Sequence, residues 1–165
     1  MKLSKIVLAL LAAAFIVIQF IRPERNTPSS PTAEAAPAPL PIPDEVRQVL
    51  QTSCFDCHSN TTRYPWYAEI QPVGWWLAGH IRNAKQELNF DEFSAYPARR
   101  KFAKLRQIEE QITEGEMPLP AYTIIHRDAI LPTEKKELLI AWTRAVEDSL
   151  RAAYPPDSLN RRSPR

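Results

Sequence analysis

Glycine and cysteine are scarce in this chain, and neither sign of charge is in clear excess. The 165 residues include 3 Gly and 2 Cys, against 16 Pro. So few glycines disfavour a fold built from tight hairpins, and two cysteines exclude a framework of several disulfides. A formal net charge of +2 excludes the strongly basic surface typical of nucleic-acid-binding proteins. The composition favours helices joined by proline-containing loops, with two cysteines that either form one bond or serve chemistry.

An apolar run near the N-terminus predicts export. Lys2 and Lys5 precede the almost unbroken run Ile6–Ile21, and a basic start followed by an apolar stretch is typical of an export signal. We interpret residues 1–22 as an uncleaved signal anchor, a transmembrane helix with the N-terminus inside, although the run is short for a hydrocarbon core of ~30 Å. The alternative is cleavage near Ala33-Glu34-Ala35, leaving a soluble periplasmic protein. Either way, the rest of the chain is expected on the periplasmic side of the inner (cytoplasmic) membrane.

Proline content and apolar spacing divide the remainder into three parts. Residues 23–43 are interpreted as a proline-rich linker, because so few of them are large and apolar that they cannot bury a core. Apolar residues at helical spacing then predict one domain, residues 44–155, with about four short helices. Residues 156–165 are expected to be a disordered tail. No strand pattern is apparent, so the predicted fold class is all-α.

The stretch CFDCHSN concentrates the reactive side chains of the domain. Two thiols three residues apart, Cys54 and Cys57, reach the two vinyl groups of one haem and become thioethers, and the imidazole of His58 becomes the proximal iron ligand. This interpretation uses all three residues, and it requires the export that the N-terminus supplies. It predicts one covalently attached haem c, with Phe55 and Asp56 as replaceable spacers. The domain is then a cytochrome c-like bundle of about four short helices around the haem.

Two other uses of these side chains stay open. A zinc ion held by both cysteines needs two more ligands from His58, His80 and His126, but Cys57 and His58 are adjacent, which is not the usual ligand spacing for one tetrahedral ion. A redox dithiol needs Cys-x-x-Cys at a helix start within a βαβ pattern, whereas this motif follows a predicted helix. The sequence favours haem over both alternatives.

The second axial ligand of the iron is expected on a loop. Met117 lies in GEMPLP, between two predicted helices. Pro118 and Pro120 stiffen this loop, and a methionine thioether is an iron ligand that raises the haem potential. Met117 is therefore the predicted distal ligand, with His80 and His126 as alternatives and an open iron as a further one.

Three stretches of the sequence, taken in order, resemble a known family: CFDCHSNTTRYPWY, GHIRNAKQELNF and EMPLPAYTIIHRDAILPTEKKELLIAWT. Over about Val46–Ala145 the chain resembles the small haem-binding domain family of cytochrome-c-like proteins. The resemblance implies a haem-binding protein outside the cytoplasm, with redox partners such as other cytochromes or di-haem peroxidases. The stretch Asn83-Ala84-Lys85 departs slightly from the family pattern. Met117 and His126 both match it, so the resemblance leaves the second axial ligand open.

These observations predict a membrane-tethered, extracytoplasmic monohaem protein that transfers electrons. No catalytic residues are expected, because no acid–base pair or nucleophile can be identified elsewhere in the sequence. The alternatives are a haem peroxidase-like enzyme, with His80 as the distal acid–base group over an open iron, and a gas or redox sensor with a displaceable sixth ligand. A haem would add a large apolar plate to a domain that buries little by itself, so the apo chain is expected to be poorly folded.

Overall fold

The computed structural model describes residues 2–27 and 42–160, and these ranges contain helices and no strand. Eight α-helices follow one another along them: α1 (Lys2–Ile18), α2 (Asp44–Ser53), α3 (Phe55–His58), α4 (Val73–Glu87), α5 (Ala98–Glu114), α6 (Pro120–Thr123), α7 (Thr133–Ala153) and α8 (Pro156–Leu159). Short 3-10 helices occupy Trp66–Glu69, Phe93–Ala95 and Arg127–Ala129. The predicted all-α class is confirmed, and the four longer helices of the domain, α2, α4, α5 and α7, are those that the apolar spacing predicts.

The main core lies where α2, α5 and α7 meet. Its buried side chains are Val46, Val49, Leu50, Ile112, Leu131, Leu139 and Trp142. A second cluster between the end of α4 and α5 consists of Leu88, Phe93, Tyr96 and Leu105. The short helix α3, which carries most of CFDCHSN, packs against both α2 and α4. The core therefore holds the reactive stretch between two long helices.

Helix α5 illustrates how the sequence sets the ends and the buried face of a helix. Pro97 precedes its first residue, and Gly115 ends it with a φ of 79°, a left-handed conformation that glycine adopts without steric cost. Phe102, Leu105 and Ile112 are buried on one side, at the spacing that brings side chains to a common helix face. The loop after Gly115 therefore leaves α5 at a defined point, which matters for the position of the site.

The N-terminal helix α1 is 17 residues long. None of the helices in the described part of the chain is long and apolar enough to cross a membrane, so the predicted transmembrane helix is not supported. The physical reason is length, because a helix rises ~1.5 Å per residue and a bilayer has a hydrocarbon core of ~30 Å.

The residues that follow α1 lie against the domain, and residues 19–27 are called the docked segment below. The Oε1 atom of Gln19 accepts the backbone N–H of Gln71 at 2.9 Å, and its Nε2 donates to the Gln71 carbonyl at 3.2 Å. Further along, the side-chain amide of Asn26 donates to the carbonyl of Ser59 at 2.9 Å. The docked segment is thus bonded to the loops around the reactive stretch.

Two predicted boundaries differ from the structure. The linker predicted for residues 23–43 begins inside the docked segment, and its residues 28–41 lie outside the described ranges. The tail predicted to be disordered, residues 156–165, begins with helix α8, in which Leu159 is 4% exposed and which packs against α5. Residues 161–165 lie outside the described ranges. The tail prediction is wrong at its start because it relied on chain position, which does not reveal a leucine buried by a distant helix.

Candidate functional site

One pocket brings together three of the predicted site residues. Cys54, His58 and Met117 all line a pocket of about 390 Å³, within the ~300–1,000 Å³ usual for ligand sites. Its wall is mainly apolar and includes Leu50, Leu88, Phe90, Ile108, Ile112 and Leu131. The buried hydroxyl of Ser53 also lines it and has no hydrogen-bond partner among the described residues. An unpaired buried hydroxyl is expected where a bound molecule completes the hydrogen bonding.

The end of α2 sets the position of the whole motif. The N–H of Cys54 donates to the carbonyl of Leu50 at 2.8 Å, which continues the bonding of α2 by one residue. The carbonyl of Cys54 then accepts the N–H of Cys57 at 3.2 Å and the N–H of His58 at 2.9 Å. One carbonyl therefore fixes the two cysteines and the histidine within a single turn of chain.

His58 is oriented by the backbone that follows α4. Its Nδ1 lies 2.9 Å from the carbonyl oxygen of Leu88, and its own carbonyl accepts the N–H of Phe90 at 2.8 Å. Since a carbonyl only accepts hydrogen bonds, Nδ1 carries the proton and Nε2 keeps a free lone pair. Burial lowers the pKa of His58 and the charge of Lys104 lowers it further, against the opposite effect of hydrogen bonds to Leu88 and Ala84. Neutral imidazole is the form that binds a metal.

Asn89 holds the orienting backbone in place. It is 1% exposed, and its Nδ2 donates to Oδ1 of Asn60 at 2.8 Å and to Oε1 of Glu92 at 2.9 Å. The backbone N–H of Asn60 donates in turn to Oδ2 of Asp91 at 2.7 Å. These bonds join the chain after His58 to the chain after α4, so the carbonyl that orients the imidazole cannot move independently of it.

The turn after α5 brings Met117 to the pocket. Once Gly115 has ended the helix, the N–H of Met117 donates to the carbonyl of Gln111 at 3.2 Å. Pro118 lines the same pocket beside it. The loop predicted to carry the second axial ligand therefore meets the motif residues in space.

Cys57 is not part of the pocket wall in the described structure. It packs against the buried side chains of Tyr67, Leu77 and Ile81. Burial raises the pKa of the Cys54 thiol to about 12 and that of the Cys57 thiol to about 11, and no disulfide joins them. Both thiols are therefore protonated at neutral pH, whereas a redox dithiol needs a cysteine whose pKa is lowered. The redox-dithiol interpretation has no support from this geometry.

The two other histidines lie away from the pocket wall. The Nδ1 of His80 is 2.9 Å from the carbonyl of Trp76, and the Nε2 of His126 is 2.9 Å from the hydroxyl of Tyr67. The ring of His126 also stacks on Tyr122, with 4.1 Å between centroids. Across the described residues, no group of three or more His, Cys, Asp and Glu side chains is placed to hold a metal ion. The zinc interpretation, which needs one of these histidines, is therefore not supported.

Asp56 is the residue of the motif that the sequence interpretation missed. Its carboxylate accepts the hydroxyl of Tyr122 at 2.9 Å and the Nε of Arg63 at 3.1 Å, and its side chain is 12% exposed. Asp56 is therefore not a free spacer, because it ties the motif to helix α6 on the Met117 loop. In the sequence, the nearby opposite charge of Arg63 is a weak indication that Asp56 has a partner. Nothing in the sequence indicates the contact with the distant Tyr122.

A family model described as a haem-binding domain matches residues 13–145. The match includes the end of α1, the docked segment, the motif and the first part of α7. No curated protein and no solved structure matches the chain significantly. The side chains fit the group that this family is described as binding: two thiols, an imidazole with a free Nε2 and a thioether, three of them around one mainly apolar pocket.

Proposed function

Since this chain belongs to the haem-binding domain family, we propose that it carries one haem c and transfers electrons outside the cytoplasm. The observation that carries the proposal is the pocket shared by Cys54, His58 and Met117. When bound, the haem supplies the one-electron couple of its iron. The polypeptide supplies attachment, axial ligands and a mainly apolar pocket wall.

The thiols of Cys54 and Cys57 are proposed to attach the haem. Each sulfur would hold one vinyl group as a thioether, through an addition that would break one S–H bond and one vinyl π bond, form one S–C and one C–H bond, and need no oxidant. The Nε2 of His58 is proposed as the proximal iron ligand, because Nδ1 is already committed to the carbonyl of Leu88. The thioether of Met117 is proposed as the second axial ligand.

Lys104 is proposed to pair with the carboxylates of the haem. Its side chain lines the pocket, is 14% exposed and bonds Glu87 at 2.8 Å. A cation on this wall suits the two propionates that any haem brings. Lys104 can exchange Glu87 for a propionate with little loss of stability, because Glu87 is 76% exposed and an exposed ion pair contributes little.

We further propose that helix α1, whose apolar side chains are exposed, inserts into lipid and tethers the protein to the periplasmic side of the inner membrane. The apolar character of α1 and its bonded continuation in the docked segment support this location. Covalent haem attachment outside the cytoplasm is consistent with it. The partners that suit such a carrier are other extracytoplasmic redox proteins, such as cytochromes or di-haem peroxidases.

The peroxidase-like alternative has less support than the carrier. It requires His80 as an acid–base group over an open iron, and His80 instead bonds the carbonyl of Trp76 away from the pocket wall. A sensor would need Met117 to leave the iron readily. No contact of Met117 in the described structure specifically favours such a displacement. We therefore propose a carrier rather than an enzyme.

Optical spectra of the purified protein test the proposal. Ferric haem with a methionine ligand shows a far-red charge-transfer absorption, which we expect in the wild type and not in Met117→Leu. His80→Leu is the matched control and is expected to keep the absorption. An absorption that survives Met117→Leu, or rapid binding of carbon monoxide by the wild-type ferrous protein, would contradict the ligand assignment. Haem that leaves Cys54→Ala/Cys57→Ala but not the wild type on denaturation would support covalent attachment.

A further inference from the structure

The docked segment fastens the end of α1 to the start of α4. Gln71, the residue that Gln19 bonds twice, is completely buried. Two residues after Gln19, the carbonyl of Ile21 accepts the indole N–H of Trp75 at 2.8 Å. These three hydrogen bonds join the last residues of the predicted anchor, residues 1–22, directly to the folded domain. The direction in which α1 leaves the domain is therefore set by the fold.

The segment that carries this junction leaves several large apolar side chains exposed, and this set is called the aromatic face. It is defined by the large apolar side chains between residues 66 and 76 that remain in contact with solvent: Trp66, Ile70, Val73, Trp75 and Trp76. Trp66 is the most exposed of them, at 72%. Large exposed apolar patches usually mark interaction sites, and five large apolar side chains exposed within eleven residues make this segment a candidate for one.

Two features of α1 indicate what covers the aromatic face. The apolar side chains of α1 are exposed around the whole helix, namely Leu3, Ile6, Val7, Leu8, Leu10, Leu11, Phe15, Ile16 and Val17. A helix that is apolar all round belongs inside a protein or in lipid. In the docked segment that follows α1, Arg22 and Arg25 both pair with Glu69. Charged groups therefore lie between the apolar helix and the domain. Tryptophan is enriched at the level where lipid meets water, because its ring is apolar and its N–H is polar.

We propose that the aromatic face rests in the headgroup region of the phospholipid bilayer that receives α1. The membrane then holds the domain in one orientation, because the docked segment bonds the end of α1 to the domain. This inference rests on the membrane tether of the proposed function. The residues of the aromatic face are not among those that line the pocket, so docking leaves the pocket walls free to meet a redox partner.

Tryptophan fluorescence can test this proposal in the full chain with haem bound. The four tryptophans, at positions 66, 75, 76 and 142, all lie in the domain and none in α1. The protein is reconstituted in phosphatidylcholine vesicles with brominated acyl chains, which quench indoles in contact with lipid, and in vesicles without bromine. Quenching by the haem is the same in both and cancels in the ratio. We expect lower fluorescence in the brominated vesicles.

Three variants make the result specific. Trp66→Gln/Trp76→Gln is expected to lose more than half of the bromine-dependent quenching, since Trp142 is buried in the core. Tyr154→Gln, which changes an exposed aromatic residue at the end of α7, is expected to leave it unchanged. Gln19→Ala is expected to weaken quenching without releasing the protein from the vesicles, because it removes the two hydrogen bonds to Gln71 and leaves α1 intact. The haem absorption spectrum shows whether each variant is folded and loaded.

Flotation of the vesicles in a density gradient separates the two ways in which this inference can fail. If the protein floats with the vesicles but bromine does not quench it, the tether holds and the docking proposal is wrong. Sedimentation of that sample in detergent then shows whether a second copy of the chain covers the aromatic face. If the protein does not float, the tether is wrong and the inference is overturned with it, while the haem assignment stands on the spectra alone.

Discussion

The Nδ1 atom of His58 lies 2.9 Å from the carbonyl oxygen of Leu88, so the ring that follows the two cysteines is aimed by a residue at the far end of α4. A histidine that binds a metal commonly donates its other N–H to a carbonyl or carboxylate, which fixes both tautomer and ring orientation. The position of the Leu88 carbonyl depends in turn on the bonds of its neighbour Asn89. The geometry of the proposed iron ligand is therefore a property of the fold and not of the short motif alone.

Replacing Asn89 by alanine should destabilise the domain. Asn89→Ala removes side-chain bonds to Asn60, Glu92 and the N–H of Asp91, each worth ~1 kcal/mol, and leaves some of these groups unpaired. We expect a loss of ~2–4 kcal/mol in the free energy of unfolding, measured by urea denaturation of the haem-loaded protein. Asn83→Ala, at an exposed position of α4, is the matched control. A loss as small as that of the control would show that Asn89 does not hold this segment.

Replacing Asp56 should also destabilise the domain, although the residue lies between the two cysteines as an apparent spacer. Arg63 is 70% exposed, so its ion pair contributes little. The larger effect of Asp56→Ala comes from the hydroxyl of Tyr122, which loses its acceptor. We expect a total loss of ~1–3 kcal/mol in unfolding free energy, against no measurable change for the exposed Asp157→Ala. Equal stability of the two variants would restore Asp56 to the role of a spacer.

The features predicted from the sequence are those that leave local signals. The apolar spacing of α4 and α5 is visible in consecutive turns, and so is the glycine that ends α5. The pattern Cys54-x-x-Cys57-His58 is local as well. Met117 lines the same pocket as Cys54 and His58, and its role as an axial ligand stays a prediction.

The features missed by the sequence reasoning are contacts between distant residues with no periodic pattern. The bond from Tyr122 to Asp56, the pair formed by Gln19 and Gln71 and the burial of Leu159 all belong to this kind. Each depends on a single polar or apolar side chain meeting a partner from another element. The proline content of the segment after α1 also suggested a free linker, whereas hydrogen bonds from individual side chains fasten its first residues to the domain.

Two glycines of α4 should respond oppositely to alanine. A Cβ on Gly74 would lie 2.4 Å from the carbonyl oxygen of Ala68 and 2.8 Å from the side chain of Gln71, whereas a Cβ on Gly79 meets nothing within 4 Å. We expect Gly74→Ala to cost ~1–3 kcal/mol through overpacking. Gly79→Ala should stabilise by up to ~1 kcal/mol because alanine is the better helix former. Thermal melts of the two variants should shift in opposite directions, and a shift in the same direction would contradict the close approach of α4 to the Ala68 carbonyl.

Glu147 on α7 should limit stability at high pH. It is 4% exposed, its Oε1 has no partner among the described residues, and its Oε2 accepts a bond from Arg151 at 2.9 Å. Burial raises the pKa of Glu147, and Glu109 on α5 acts in the same direction, while Arg151 and Arg106 act against them. The folded state therefore holds the proton more tightly than the unfolded state. Stability falls as the pH rises from the ordinary value of 4.5 through the folded pKa.

Glu147→Gln tests this pH dependence. The amide keeps the shape and loses the buried charge, while the lost ion pair involves an arginine that is 53% exposed and so contributes little. We expect a melting temperature about 2–4 °C above wild type at pH 8, with the difference shrinking as the pH falls toward 4. Asp148→Asn removes a carboxylate that is 73% exposed and pairs with the same arginine, so it should show no such trend. A glutamine variant that is less stable than wild type at pH 8, or whose advantage is the same at pH 4 and pH 8, would mean that Arg151 fully compensates the buried charge.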